Sequence, residues 1–177
     1  MAGLRCAFGV GMLSGSFVLV GGPVHALERI PVLPTTSAAQ AALKALEQCR
    51  LNGYAVAVTV VNREGNVMAA LRDQHAGPHT FDNSFNKAFT ANSLGRAYGL
   101  DSTGEIVNRS LAGKAPGIGS FPLPASPLRG LSYSAGGLVI KAGPVVIGAL
   151  GVSGSPSGGL DEACAARGVQ SIQAALK

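Results

Sequence analysis

The chain has 177 residues, of which 47% are hydrophobic and 13% charged, with 25 glycines, no tryptophan and a net charge of +5. That length suits one domain with a core of its own, here built from Ala, Val, Leu and Ile, and so low a charge excludes a disordered chain. The basic residues are scattered, with no interleaved aromatics, which excludes a nucleic-acid-binding stripe.

Residues 1–26 read as a secretory signal peptide. Arg5 supplies the positive start, residues 7–20 an apolar stretch broken by Gly9, Gly11 and Ser14, and Val24-His25-Ala26 a small-residue cleavage site. The stretch is short for a membrane span. Cleavage after Ala26 predicts a periplasmic or secreted protein with no stable membrane insertion, and leaves a single domain over residues 27–177. Two cysteines remain in it, Cys49 and Cys164. They read either as small buried residues or as a disulfide formed in an oxidising compartment.

Residues 27–34 form a proline-flanked extended lead-in. Thr35, Thr36 and Ser37 offer N-caps for a helix to about Arg50, with Ala39, Ala42, Leu43, Leu46 and Cys49 at helical spacing. Asn52-Gly53 ends it. Residues 54–61 (YAVAVTVV) predict a strand, residues 62–66 a hairpin turn and residues 67–71 the return strand. A loop around Gly77-Pro78 leads to a helix over residues 80–98, with Thr80 as its cap and Phe81, Phe85, Ala88 and Phe89 as one face. A shorter helix follows at 102–111, then a proline-rich loop with one short strand near 118–121. Strands at 137–141 and 145–152 join at Ala142-Gly143, and the last helix spans about 160–175. The fold class is α+β, an antiparallel sheet of about five strands flanked by helices on its faces. If the first and last helices are antiparallel, Cys49 and Cys164 meet; parallel helices would separate them by about 20 Å.

The stretch from Gly136 to Cys164 reads as a ligand rim or as ordinary strand-turn-helix punctuation. Asp161 and Glu162 at the start of the last helix can stabilise its N-terminus or, with His79, hold a divalent metal. His75 and His79 share one loop, and imidazole is the usual axial ligand of haem and a common ligand of metals; the plainer reading is two solvent-exposed loop histidines. Lys87 and Thr90 lie one turn apart on the following helix. Lys87 can pair with a haem propionate or a substrate carboxylate, or stand as a solvated helix residue. No catalytic residue is assigned. GVSGS lacks the last glycine of a nucleophile elbow, and H-E-x-x-H and C-x-x-C are absent.

Five segments in order carry a resemblance: YAVAVTVVNREGNVMA, AGPHTFDNSFNKAFTA, APGIG, GGLVIKAGPVVIGALGVSG and DEACAARG. Over residues 38–175 the chain resembles the HbpS/GlcG family of haem-binding proteins, which is also similar to the C-terminal domain of some corrinoid adenosyltransferases. The resemblance implies an antiparallel sheet flanked by helices, homo-oligomers reaching octamers, haem as the cofactor, and no established catalysis for the family at large. It implies a ligand near the helix after the second strand, and so near His79, His75, Lys87 and Thr90. Two departures bear on the pocket edge: the longer proline-rich loop at 121–133, and Val139 where the family commonly has proline. The expected function is a secreted or periplasmic haem-binding oligomer acting in haem storage, sensing or protection. One alternative is an enzyme or accessory protein acting on a small carboxylic acid or aromatic catabolite, with Lys87 as anchor and His79 or Glu162 moving a proton. Another is a non-catalytic partner of a membrane sensor or periplasmic enzyme.

Overall fold

The structure is a computed structural model and describes residues 29–111 and 130–176. The segment expected to be a signal peptide, the strand expected near 118–121 and most of the proline-rich loop at 121–133 lie outside the described residues. None of the described helices is long and apolar enough to cross a membrane.

Helix α1 (Thr35–Leu51) buries Ala38, Ala41, Ala42, Ala45, Leu46 and Cys49, a stripe of mostly small residues at helical spacing; Ala39 and Leu43, expected in that stripe, are instead exposed, because the small Ala38, Ala41 and Ala45 face the neighbouring elements. Its N-cap is Pro34 in extended conformation, with no side-chain cap, so the expected Thr and Ser caps already lie inside the helix. Gly53 closes the helix at φ +82, its N–H donating to the Arg50 carbonyl.

Strands β1 (Ala57–Asn62) and β2 (Val67–Arg72) form the first hairpin. Asn62 Oδ1 accepts from the N–H groups of Glu64 and Asn66, an Asx-type closure of the turn. Strands β3 (Gly137–Ala142) and β4 (Val145–Ser153) form the second, turning at Gly143. β1 pairs with β4, giving a fully antiparallel four-stranded sheet in the order β2-β1-β4-β3 among the described residues. The class is the expected α+β, with four strands described where about five were expected.

Side-chain alternation along the two central strands sorts the helices into layers. Val58, Val60, Leu150 and Val152 pack with α1 and with α5 (Gly158–Ile172). Thr59, Val61, Ala149 and Gly151 face α2 (His79–Thr90) on the other side. α1 and α5 are antiparallel: the Gln40 side chain donates to the Ser171 carbonyl at one end, and Cys49 and Cys164 meet at the other. A Cβ at Gly168 would lie 2.5 Å from the Ala41 carbonyl oxygen, so only glycine allows this approach of the two backbones. The two cysteines are fully buried and disulfide-bonded, with Cα atoms 5.5 Å apart, which decides between their two readings.

The helix expected over 80–98 is three pieces: α2, a π-helical turn at Ala91–Gly95, and α3 (Arg96–Tyr98), which stops at Gly99 with φ +66. Thr90 and Ser93 hydroxyls donate to the carbonyls four residues back, a pattern that bends helices. Helix α4 (Thr103–Leu111) follows. The expected face of α2 holds in part: Ala88 is buried and Phe85 packs, partly buried, against the cluster of Val61, Val139, Val146 and Ala149. Its buried residues are Thr80, Ser84, Lys87, Ala88 and Thr90, while Phe81 is 42% exposed. Close packing is the reason. The Ser84 and Thr59 hydroxyls bond at 2.8 Å, and a Cβ at Gly151 would lie 2.1 Å from the Ser84 carbonyl oxygen. No phenyl ring fits between backbones that close, so small residues make that contact and Phe85 stays only partly buried.

Candidate functional site

Three segments converge at one end of the sheet: residues 53–55 after α1, the loop 75–79 leading into α2, and residues 153–158 joining β4 to α5. They enclose a cleft of about 550 Å³, lined by both His75 and His79, by Tyr54, Thr80, Asn83, Ser134, Ser153 and Ser155, and by Lys87 and Asp161.

The loop that carries the histidines is tied down by Asp73, itself 6% exposed. One carboxylate oxygen of Asp73 accepts the His75 backbone N–H at 3.0 Å, and the other accepts from Arg50 Nε at 2.5 Å. The His75 N–H, and next the Arg50 guanidinium, hold the Asp73 carboxyl below its usual range, so it remains an anion that clips the loop to α1. The His75 ring is exposed and its Nε2 lies 3.0 Å from the Gln74 amide nitrogen. His79 is the first residue of α2, also exposed, with its ring seated over Gly77: a Cβ there would lie 2.8 Å from Cε1. Thr80 does not cap the helix by accepting; its hydroxyl donates to the Gly77 carbonyl at 2.6 Å.

His79, Asn83 and Lys87 recur every four residues and so run down one face of α2 into the cleft. Asn83 Nδ2 donates to Ser153 Oγ at 2.9 Å, and Asn83 Oδ1 accepts from Ser132 Oγ at 3.1 Å. At the inner end, Lys87 Nζ donates to Asp161 Oδ2 at 2.7 Å, with side chains 2% and 3% exposed. Asp161 Oδ1 accepts from the Ser155 N–H at 3.0 Å and its hydroxyl at 2.6 Å. Lys87 is therefore a buried cation with a fixed counter-ion, and the solvated reading is corrected. Burial of both charges is expensive, and three donors to one carboxylate offset much of that cost.

Thr90 and Glu162 do not line the cleft. The Thr90 hydroxyl donates to the Asn86 carbonyl and accepts the Ser132 N–H, which joins α2 to the chain before β3. Glu162 Oε2 accepts the N–H groups of Gly104 and Gly136 at 3.0 and 3.2 Å, pinning α4 and the start of β3 to α5. The metal set His79, Asp161 and Glu162 is likewise not brought together, and no group of three metal-ligating side chains gathers among the described residues. The reason lies in helix geometry. Adjacent residues on a helix point about 100° apart, so Asp161 faces the cleft while Glu162 faces α4. Ser157 caps α5, its hydroxyl accepting the Leu160 N–H. The Gly136–Cys164 stretch is thus mainly hairpin, turn and capped helix, but it delivers Ser153, Ser155 and Asp161 to the cleft. Sequence reasoning missed Asn83 and the serines. The four-residue spacing from His79 to Lys87 would have revealed Asn83; the serines carried no such signal.

Residues 33–170 match the family model described as haem degrading protein HbpS-like. The chain is similar to a crystal structure of a Streptomyces reticuli HbpS double mutant, with 34% identity over 85% of this chain and 97% of that one, and a TM-score of 0.69. It is also similar to the Klebsiella pneumoniae protein ORFY, with 26% identity, 84% and 96% coverage, and a TM-score of 0.71. A PduOC–haem complex shares the fold at 23% identity, 80% and 96% coverage, and a TM-score of 0.67. No curated protein matches.

Proposed function

The chain belongs to the HbpS-like family, and from that premise we propose that it is a haem-binding protein whose ligand enters the cleft at His75 and His79. The observation that carries this reading is that both histidines of residues 27–177 line a single cleft. Its volume of about 550 Å³ lies within the range of small-molecule sites, roughly 300–1,000 Å³. The residues present fit the group. Exposed imidazole nitrogens at the mouth can ligate iron, and an ammonium and several hydroxyls inside can meet polar substituents. Haem, when bound, would supply iron chemistry and a visible chromophore; the chain supplies ligand atoms, orientation and partial exclusion of water.

Titration of haemin into purified protein is expected to give a saturable shift of the Soret band. His79→Ala and His75→Ala weaken that shift. A Soret band that never saturates, or one indifferent to both substitutions, would remove the support for this assignment.

The proposal extends to location and assembly. A secreted or periplasmic site is supported by the disulfide between Cys49 and Cys164, since such bonds persist in oxidising compartments. Homo-oligomers reaching octamers, and a role in haem storage, sensing or protection, complete the reading. Fractionation of cells and analytical ultracentrifugation test the first two directly.

A further inference from the structure

We propose that the inner end of the cleft is a carboxylate-binding subsite, in which the Lys87 ammonium receives an acid group of the ligand and Asp161 holds that ammonium in place. The inference rests on the cleft being the ligand site, but not on the ligand being haem.

Lys87 is only 2% exposed yet lines the cleft, which puts its charge at the inner end rather than on the rim. An ammonium has three N–H donors, and among the described residues Nζ has one hydrogen-bond partner, Asp161. Two donors therefore remain for a ligand. Gly136, at φ +127, leaves room for the ammonium itself: a Cβ there would lie 2.9 Å from Nζ. Among the described residues, Asp161 is the only acidic one lining the cleft, and both its oxygens are taken, by Lys87 and by two donors of Ser155. The other polar lining groups are hydroxyls, an amide and imidazoles, so this lining offers donors and no uncommitted carboxylate. An anion rather than a cation is the ligand class that such a lining selects. The acid group can come from the propionates of haem or from a small hydroxylated acid. Carboxylate is the shared chemistry.

The experiment measures affinity for four probes: haemin, its dimethyl ester, gluconate and the uncharged glucitol. Absorption follows the first two and calorimetry the others. The expected result is that the ester binds roughly tenfold or more weakly than haemin, or that gluconate binds and glucitol does not. The double variant Lys87→Met/Asp161→Asn leaves no unpaired buried charge and keeps an acceptor for Ser155. It will lower affinity for the acid to that of its neutral counterpart while leaving the neutral probe unchanged. Haemin and its ester binding equally, with no gluconate binding, would overturn this subsite and leave the haem assignment standing. Gluconate binding without any haemin signal would do the reverse. Failure of all four probes to bind would overturn both.

Discussion

Replacing Lys87 with methionine alone will destabilise the protein far more than removing the whole ion pair. The substitution leaves Asp161, 2% exposed, as a buried carboxylate with only the two Ser155 donors. Breaking a buried pair on one side costs about 3–5 kcal/mol, because the remaining charge has lost both water and partner. For a domain of this size each kcal/mol lowers the melting temperature by about 2–4 °C, so the loss is roughly 6–20 °C. Lys87→Met/Asp161→Asn abolishes both charges, and the amide oxygen of the introduced asparagine still accepts from Ser155, so this variant will lie within about 1–2 kcal/mol of the parent. Guanidinium titrations of the oxidised protein at neutral pH, read by far-ultraviolet circular dichroism, give the three free energies. A single variant within about 1 kcal/mol of the parent, or a double variant as unstable as the single one, would refute the buried, mutually compensating pair.

Reduction of Cys49–Cys164 opens a loop closed over 115 residues, and chain entropy puts the stability loss at about 2–5 kcal/mol; a reductant series that leaves the guanidinium midpoint unmoved would contradict it. Asp73 has a folded pKa below its ordinary 3.8, so its stabilisation is present above the unfolded value and disappears as pH falls through the folded one. Asp73→Asn will therefore be less stable than the parent at about pH 6, with the gap closing below about pH 4; a gap that stays constant from about pH 6 to about pH 2 argues against the clip. Gly151→Ala drives a methyl against the Ser84 carbonyl, which a Cβ would approach to 2.1 Å, and is expected to cost about 3 kcal/mol in thermal denaturation. Tolerance of alanine there would mean that α2 does not press on β4 so closely.

Local patterns carried much of the fold. Two apolar runs with turn residues at Asn62–Asn66 and Gly143 specify the hairpins, since strand period and turn chemistry act over a few residues. The stop at Gly53 was legible for the same reason, and so were Ala42, Leu46 and Cys49 of the α1 stripe, whereas Ala39 and Leu43 are exposed. The α2 face was legible only in part: Ala88 and Phe85 pack on the sheet, while Phe81 is 42% exposed and Ser84, Lys87 and Thr90 are buried in its place. What buries a helix face is the partner surface, here Thr59, Ala149 and Gly151 from distant strands. The site divides in the same way. His75, His79 and Lys87 were singled out by residue type, and Asp161 by its place in the first turn of the last helix, with no sign in the sequence of its pairing with Lys87.

The sequence by itself determined most of the elements, the two hairpins and which residues have chemistry to offer, because propensity, periodicity and turn preference are properties of neighbours along the chain. Only the tertiary structure decided which of those residues meet. The sheet order β2-β1-β4-β3 and the antiparallel packing of α1 on α5 bring residue 49 to residue 164, and packing of α2 on the opposite face of the sheet brings residue 87 to residue 161. Such pairings are set by how much apolar surface and buried charge the whole arrangement can satisfy at once, which no local window records.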